Sequence, residues 1–198
     1  MSVNHPDVDA PTVLRQASAP ASDALPRPAR AADDLVVATL SVDPGVVERA
    51  PALAGRHVVV VGINYAPEPT GIAPYTTGMA EHLAASARSV TVLTGVPHYP
   101  NWRVPPAYRW MLRCREESRL PNDTGLLVHR MRHYVPSRQN ALTRAGYEVS
   151  FLANAATKRL RNRPDLVIAV TPSLGGAVAA VPMARRHGAK LVVVVQDL

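Results

Sequence analysis

Apolar residues recur along this chain in short continuous runs separated by stretches with helical spacing. His57 to Ile63 (HVVVVGI) is β-branched and apolar after its first residue, as expected of a strand covered on both faces. Ser89 to Gly95, Gly125 to Arg132, Asp165 to Thr171 and Lys190 to Leu198 give four further strands of related character. Between them lie three helical patterns. Ala73 to Ala87 spaces Met79, Leu83 and Ala87 along one side; Asn140 to Arg161 aligns Leu142, Val149, Leu152, Ala156 and Leu160; Leu174 to His187 reads as a helix kinked at Pro182. Pro97 to Pro106 is a proline-studded loop. Buried strands alternating with helices predict an α/β domain, a doubly wound, Rossmann-like parallel sheet with right-handed crossovers. No internal repeat is present.

Composition divides the chain in two. Residues 1 to about 32 are rich in Ala, Pro and Ser and lack the apolar side chains for a core, so they read as a flexible tail. Asp33 to Gly55 is open between linker and a docked segment, with Leu35 to Leu40 a short strand or helical turn. The expected organisation is a largely disordered tail and linker over 1–55 and one domain over 56–198. With 198 residues there is room for one such domain, not two.

The net charge of +7 permits contact with phosphates, nucleic acid or an anionic membrane. An aromatic content of 5% leaves little stacking surface for nucleic acid. Cys114 is the only cysteine, so no intrachain disulfide forms and no Cys-based zinc site closes. No apolar run approaches the roughly 20 residues that span a bilayer. The opening MSVNHPDVDAP has no apolar signal region. These features predict a cytoplasmic protein.

The most informative stretch is Val60 to Leu83. A buried strand runs into a turn with Pro67, Pro69 and Gly71, then into a helix. A helix start offers unpaired N–H groups and a partial positive charge that suit a phosphate, and Gly71 permits close approach. A plain strand-to-helix turn would use the same residues. Gly62 and Gly71 are too far apart for a dinucleotide fingerprint, and no acid ends the second strand, which disfavours an oxidoreductase or epimerase. No phosphate-loop GxxxxGK[ST] string occurs.

GINYAPEPTGIAPYTTGMAEHL, followed in order by VTVLTGVPHYPNW, RMRHYVP, PDLVIAVTPSLGGA and VVVVQDL, resembles the family-4 glycosyltransferases, above all the exopolysaccharide subgroup with the colanic-acid-type enzymes. The likeness covers about Arg56 to Leu198. It implies a GT-B architecture of two Rossmann-like domains, the amino-terminal one mainly holding the acceptor. The other would hold the nucleotide sugar and carry an E-x7-E pair, which this sequence lacks. The chain is therefore expected to be the acceptor-side half of a retaining glycosyltransferase in polysaccharide biosynthesis. Its expected substrates are a nucleotide-diphosphate sugar and a glycan or lipid-linked acceptor, with no cofactor and no metal. A separately encoded donor domain is an expected partner, and peripheral contact with the inner membrane face a further one. The alternative is a non-catalytic acceptor- or partner-binding module. Where relatives often have His, this chain has Gly146-Tyr147.

The resemblance places Gly71 and Ile72 in the loop facing the donor phosphate. His98 and Tyr99 follow the second strand, and Thr171 and Ser173 the fourth, at the edge where open α/β sheets bind ligands. Asp197 ends the last strand at the same edge. These five are expected on the acceptor side of the cleft; the catalytic residue is left open. Glu68, between prolines, reads as a solvated loop carboxylate. Arg130, Arg132, His133, Arg138 and Arg144 form a basic group, either a solvated face or one turned to an anionic membrane.

Overall fold

The computed structural model describes residues 35–37, 53–119 and 125–196. The tail before residue 35 and Asp197 lie outside them. Seven strands form one sheet in the order β1-β7-β6-β2-β3-β5-β4. They are β1 (Leu35–Val37), β2 (His57–Val61), β3 (Ser89–Gly95), β4 (Arg113–Arg119), β5 (Gly125–Met131), β6 (Leu166–Val170) and β7 (Lys190–Val194). All pairs are parallel except β4 with β5. The helices are α1 (Ala73–Ser86), α2 (Ala141–Ala156) and α3 (Leu174–His187).

The period-two alternation of β2 makes two cores from one strand. Val59 and Val61 join Leu93, Met131, Val167 and the inner faces of α2 and α3 in one cluster. Val58 and Val60 join Val90, Val92, Leu126 and α1 in the other. A sheet covered on both faces explains why its central strands read as unbroken apolar runs.

The helix faces differ in part from their sequence reading. In α1, Ala73, Thr76, Ala80 and Ala84 are the buried residues, while Met79 and Leu83 pack at their flanks. Small side chains bring this helix close to the sheet. In α2 the buried stripe is Tyr147, Phe151 and Ala155, whereas Leu142 and Val149 are exposed. The two aromatics fill the core, and Leu152, Ala156 and Leu160 of the expected face pack against the same cluster at its flank. A reciprocal cap starts α2: Asn140 Oδ1 accepts from Thr143 N and Thr143 Oγ1 accepts from Asn140 N. The helix ends at Ala156, short of the expected Arg161. Pro182 lies on the exposed side of α3, which continues through it.

One strand departs from the all-parallel expectation. β4 carries Arg-Cys-Arg-Glu-Glu-Ser-Arg, a sequence with no apolar run, and pairs antiparallel with β5. Its outward Arg115 and Glu117 are ion-paired, and charge on an edge strand discourages pairing with another sheet. At the other edge, Leu35–Val37 pairs with Leu191–Val193 of β7. Of the two readings of that segment, a docked strand is what forms.

Candidate functional site

β2 leads through α1 to β3 on one side, while β6, on its other side, leads through α3 to β7. Strand order therefore reverses between β2 and β6. Ligand crevices in open α/β sheets lie at such a reversal, beyond the carboxyl ends of the strands. A cavity of about 370 Å³ opens there. Residues following four parallel strands line it: Asn64 after β2, Tyr99 after β3, Ser173 after β6 and Gln196 after β7.

Gly71 and Ile72 line this cleft at the start of α1. Gly71 has φ of +68°, the left-handed region that side chains disfavour, and an added Cβ would sit 3.1 Å from Tyr99 Cε1. The α1 start has no side-chain cap and no acid in its first turn. The α3 start is different. Ser173 caps it, its Oγ accepting from Gly176 N at 3.2 Å and donating to Glu148 Oε2 at 2.7 Å. Glu148 Oε2 also accepts from Gly175 N at 2.9 Å. A carboxylate of α2 thus occupies the positive end of α3, leaving α1 as the uncapped helix start in the cleft. This tie needs Gly175, because a Cβ there would lie 2.4 Å from the Glu148 carbonyl oxygen.

His98, Tyr99 and Ser173 line the cavity, with His98 and Ser173 buried and Tyr99 partly exposed. Thr171 does not line it. Its Oγ1 donates to Val194 O at 3.2 Å and accepts from Gln196 N at 3.2 Å, tying β6 to β7. His98 is held inside the protein: Nδ1 meets Val96 O at 3.0 Å and Nε2 meets the Tyr147 hydroxyl at 3.1 Å. It therefore positions the β3 loop and Tyr147, and its ring nitrogens are already engaged.

Glu68 corrects the sequence reading outright. It is 6% exposed, and Oε1 accepts from His98 N at 2.7 Å and Tyr99 N at 2.9 Å. Oε2 accepts from Asn64 Nδ2 at 2.8 Å. This carboxylate pins the β2 and β3 loops together beneath the cleft. The proline flanks suggested exposure, but the loop folds inward to satisfy otherwise orphaned N–H groups.

The basic group also separates. Arg130 is buried, donating to Glu116 Oε1 at 2.7 Å and Ala66 O at 2.6 Å. His133 is buried against His98 and Phe151. Arg144 instead lines the cleft, its Nε 3.9 Å from Glu148 Oε1. These residues do not make one face. Arg144 and Glu148 were the cleft residues hardest to foresee, since helical i, i+4 ion pairs are common on any surface.

Burial depresses the His98 pKa, against the raising effect of nearby Glu68. It takes His133 from the ordinary 6.5 to about 3, with repulsion from His98 and Arg132 adding to the shift. The unfolded chain binds these protons near the ordinary value and the folded one only well below it. Stability is therefore full above that value and falls as pH drops. We expect His133 alone to cost about 1.4 kcal/mol per pH unit lost below its unfolded pKa. Urea midpoints at neutral and mildly acidic pH should show this, and His133→Phe should flatten the dependence. A midpoint independent of pH would contradict the burial account.

Among the described residues no group of three or more His, Cys, Asp or Glu could hold a metal ion. No helix among them is long and apolar enough to cross a membrane.

Comparison with known proteins places the chain in a family. Residues 70–198 match the Glycosyl transferase 4-like domain family. The chain belongs to the family-4 glycosyltransferases. It is 36% identical over 143 residues to the Escherichia coli (strain K12) protein named "Putative colanic acid biosynthesis glycosyl transferase WcaI". That alignment covers 71% of this chain and 34% of the relative, so the chain spans about a third of the relative's length. No solved structure matches it. The match to the family-4 domain begins just ahead of Gly71 and takes in every other element that lines the cleft except the end of β2.

Proposed function

We propose that this chain is the acceptor-side half of a retaining glycosyltransferase that moves a sugar from a nucleotide-diphosphate sugar to a glycan or lipid-linked acceptor in polysaccharide biosynthesis. The observation that carries the reading is the contrast between the two helix starts in the cleft. The α3 start is filled by Glu148, while the α1 start beside Gly71 has neither a side-chain cap nor an acid. An uncapped helix start suits the diphosphate, whose negative charge grows as its bond to the sugar breaks. The acceptor oxygen forms the new bond to the anomeric carbon as the diphosphate leaves, and the acceptor proton departs with the products.

On this reading Gly71 and Ile72 face the diphosphate. Tyr99 and Trp102 offer aromatic surface to the acceptor sugar. Glu148 offers Oε1, which it shares with Arg144 Nε at 3.9 Å, to an acceptor hydroxyl, because Oε2 is engaged by α3. The donor-side half, with its nucleotide pocket, is supplied in the same or a separate polypeptide. The reaction belongs to the cytoplasm at the inner membrane face.

The test joins this chain to a donor-side domain of its family and supplies labelled UDP- and GDP-sugars with a membrane lipid extract. Label should enter the glycan or lipid fraction only when both halves are present. Release of free sugar without any acceptor product, across all donors, would sink the acceptor-side assignment.

A further inference from the structure

A second groove, of about 760 Å³, lies beside the cleft and shares Trp102 with it. Arg103, Arg109 and Arg132 line it, together with Tyr134, and among the described residues no carboxylate does. Among the described residues, neither these three arginines nor Arg113 is ion-paired. Next to the groove, Trp110, Met111 and Leu112 stand 87%, 39% and 78% exposed. A single exposed apolar residue is ordinary, but three consecutive large ones are not.

The chain holds this tip in place. Met111 N donates to Tyr108 O at 3.3 Å and Arg132 N to Leu112 O at 2.9 Å. Arg132 Nη1 also donates to Arg109 O. The Arg109 guanidinium lies 5.7 Å from the centre of the Trp110 ring. Arg113 follows Leu112 directly, and its Nη2 reaches Thr157 Oγ1 at 3.3 Å. The result is an apolar tip flanked along the chain by Arg109 and Arg113, beside a groove that Arg103, Arg109 and Arg132 line.

We infer that the Trp110–Leu112 tip and the arginines beside it form a docking surface for an anionic lipid bilayer. Trp110, Met111 and Leu112 enter the interface, where an indole ring sits favourably, and the arginines meet headgroup phosphates. A second copy of this chain fits poorly, because it would bring the same four positive charges against these. The surface deepens the proposed acceptor role and rests on it. A bilayer docked here lies beside the cleft through Trp102, so a lipid-linked acceptor reaches the cleft without leaving its membrane. Of the arginines in the basic group expected from sequence, Arg132 alone lines this groove.

Vesicle binding tests this without any transfer reaction, so its failure and failure of the transferase reading are separable. The whole chain is mixed with vesicles of phosphatidylglycerol and phosphatidylcholine, or of phosphatidylcholine alone. It should sediment with the anionic vesicles and be released by salt. Brominated lipid should quench tryptophan emission, and Trp110→Phe should remove the quenching while Trp102 remains. Trp110→Ser with Leu112→Ser should weaken binding at least about tenfold, and Arg103→Glu or Arg109→Glu about fivefold or more each. Circular dichroism and thermal melting check that these exposed substitutions leave the fold intact. Equal binding to neutral vesicles, or anionic binding unchanged by the substitutions, overturns the proposal. So does a change in oligomeric state, or in docking of an added donor-side domain, with vesicle binding unaltered.

Discussion

Replacing Gly71 with asparagine in a complete transferase is expected to lower sugar transfer on the order of a hundredfold, as loss of an oxyanion donor does, with stability nearly kept. Gly71 sits at φ +68°, and asparagine is among the few side chains that tolerate that region. The backbone can therefore stay where it is while a polar side chain occupies the α1 start. The new Cβ would meet only the edge of Tyr99, which is 37% exposed and has room to shift. Gly71→Val should lose transfer as well but also about 1–3 kcal/mol of stability, because a β-branched residue is strained there. Comparing the two separates a cleft role from a turn role. Full turnover in folded Gly71→Asn would remove this loop from the donor phosphate and leave the proposed function without its main support.

Glu68 is expected to dominate the stability of the site. Glu68→Ala leaves the N–H groups of His98 and Tyr99 and the amide of Asn64 without their acceptor, the first of them buried and the other two partly so. A buried charged acceptor with several donors implies a loss of about 3 kcal/mol or more. Glu68→Gln should cost only about 1 kcal/mol. Its remaining oxygen can accept both backbone bonds, which converge on Oε1, and Asn64 can turn its own oxygen to the new amide. Denaturant melts of the three proteins measure both steps. Equal loss for Ala and Gln would mean that charge, not hydrogen bonding, is what the loops require. Acceptor affinity should fall with stability in Glu68→Ala, since the Tyr99 loop would lose its anchor.

The fold was legible where burial on two sides leaves a continuous apolar signature. β3 and α3 match their sequence limits, and β2, β5 and β6 differ only at their ends. β4 was not legible, because an exposed edge strand needs no apolar run and its pairing comes from β5. The α2 face was legible only in part: Leu152, Ala156 and Leu160 pack on the core as expected, but Leu142 and Val149 satisfy a helical period while exposed, and Tyr147 and Phe151 are buried. Periodicity fixes that a face exists, whereas the neighbouring layer selects which one is buried.

The same division runs through the site. Sequence alone determined the α/β class, the family resemblance, and the loops that gather at the carboxyl edge, since these follow from local pattern and strand order. Tertiary structure alone decided how each polar residue is used. Glu68 looked solvated because its neighbours are prolines, but its partners arrive from a loop 30 residues away. Thr171 looked like a cleft residue, but β7 claims its hydroxyl. Glu148 carried no local signal, and its role exists only because α2 packs its carboxylate onto the start of α3. Hydrogen-bond partners distant along the chain leave no trace in local pattern, so burial and charge satisfaction are settled only when the layers assemble.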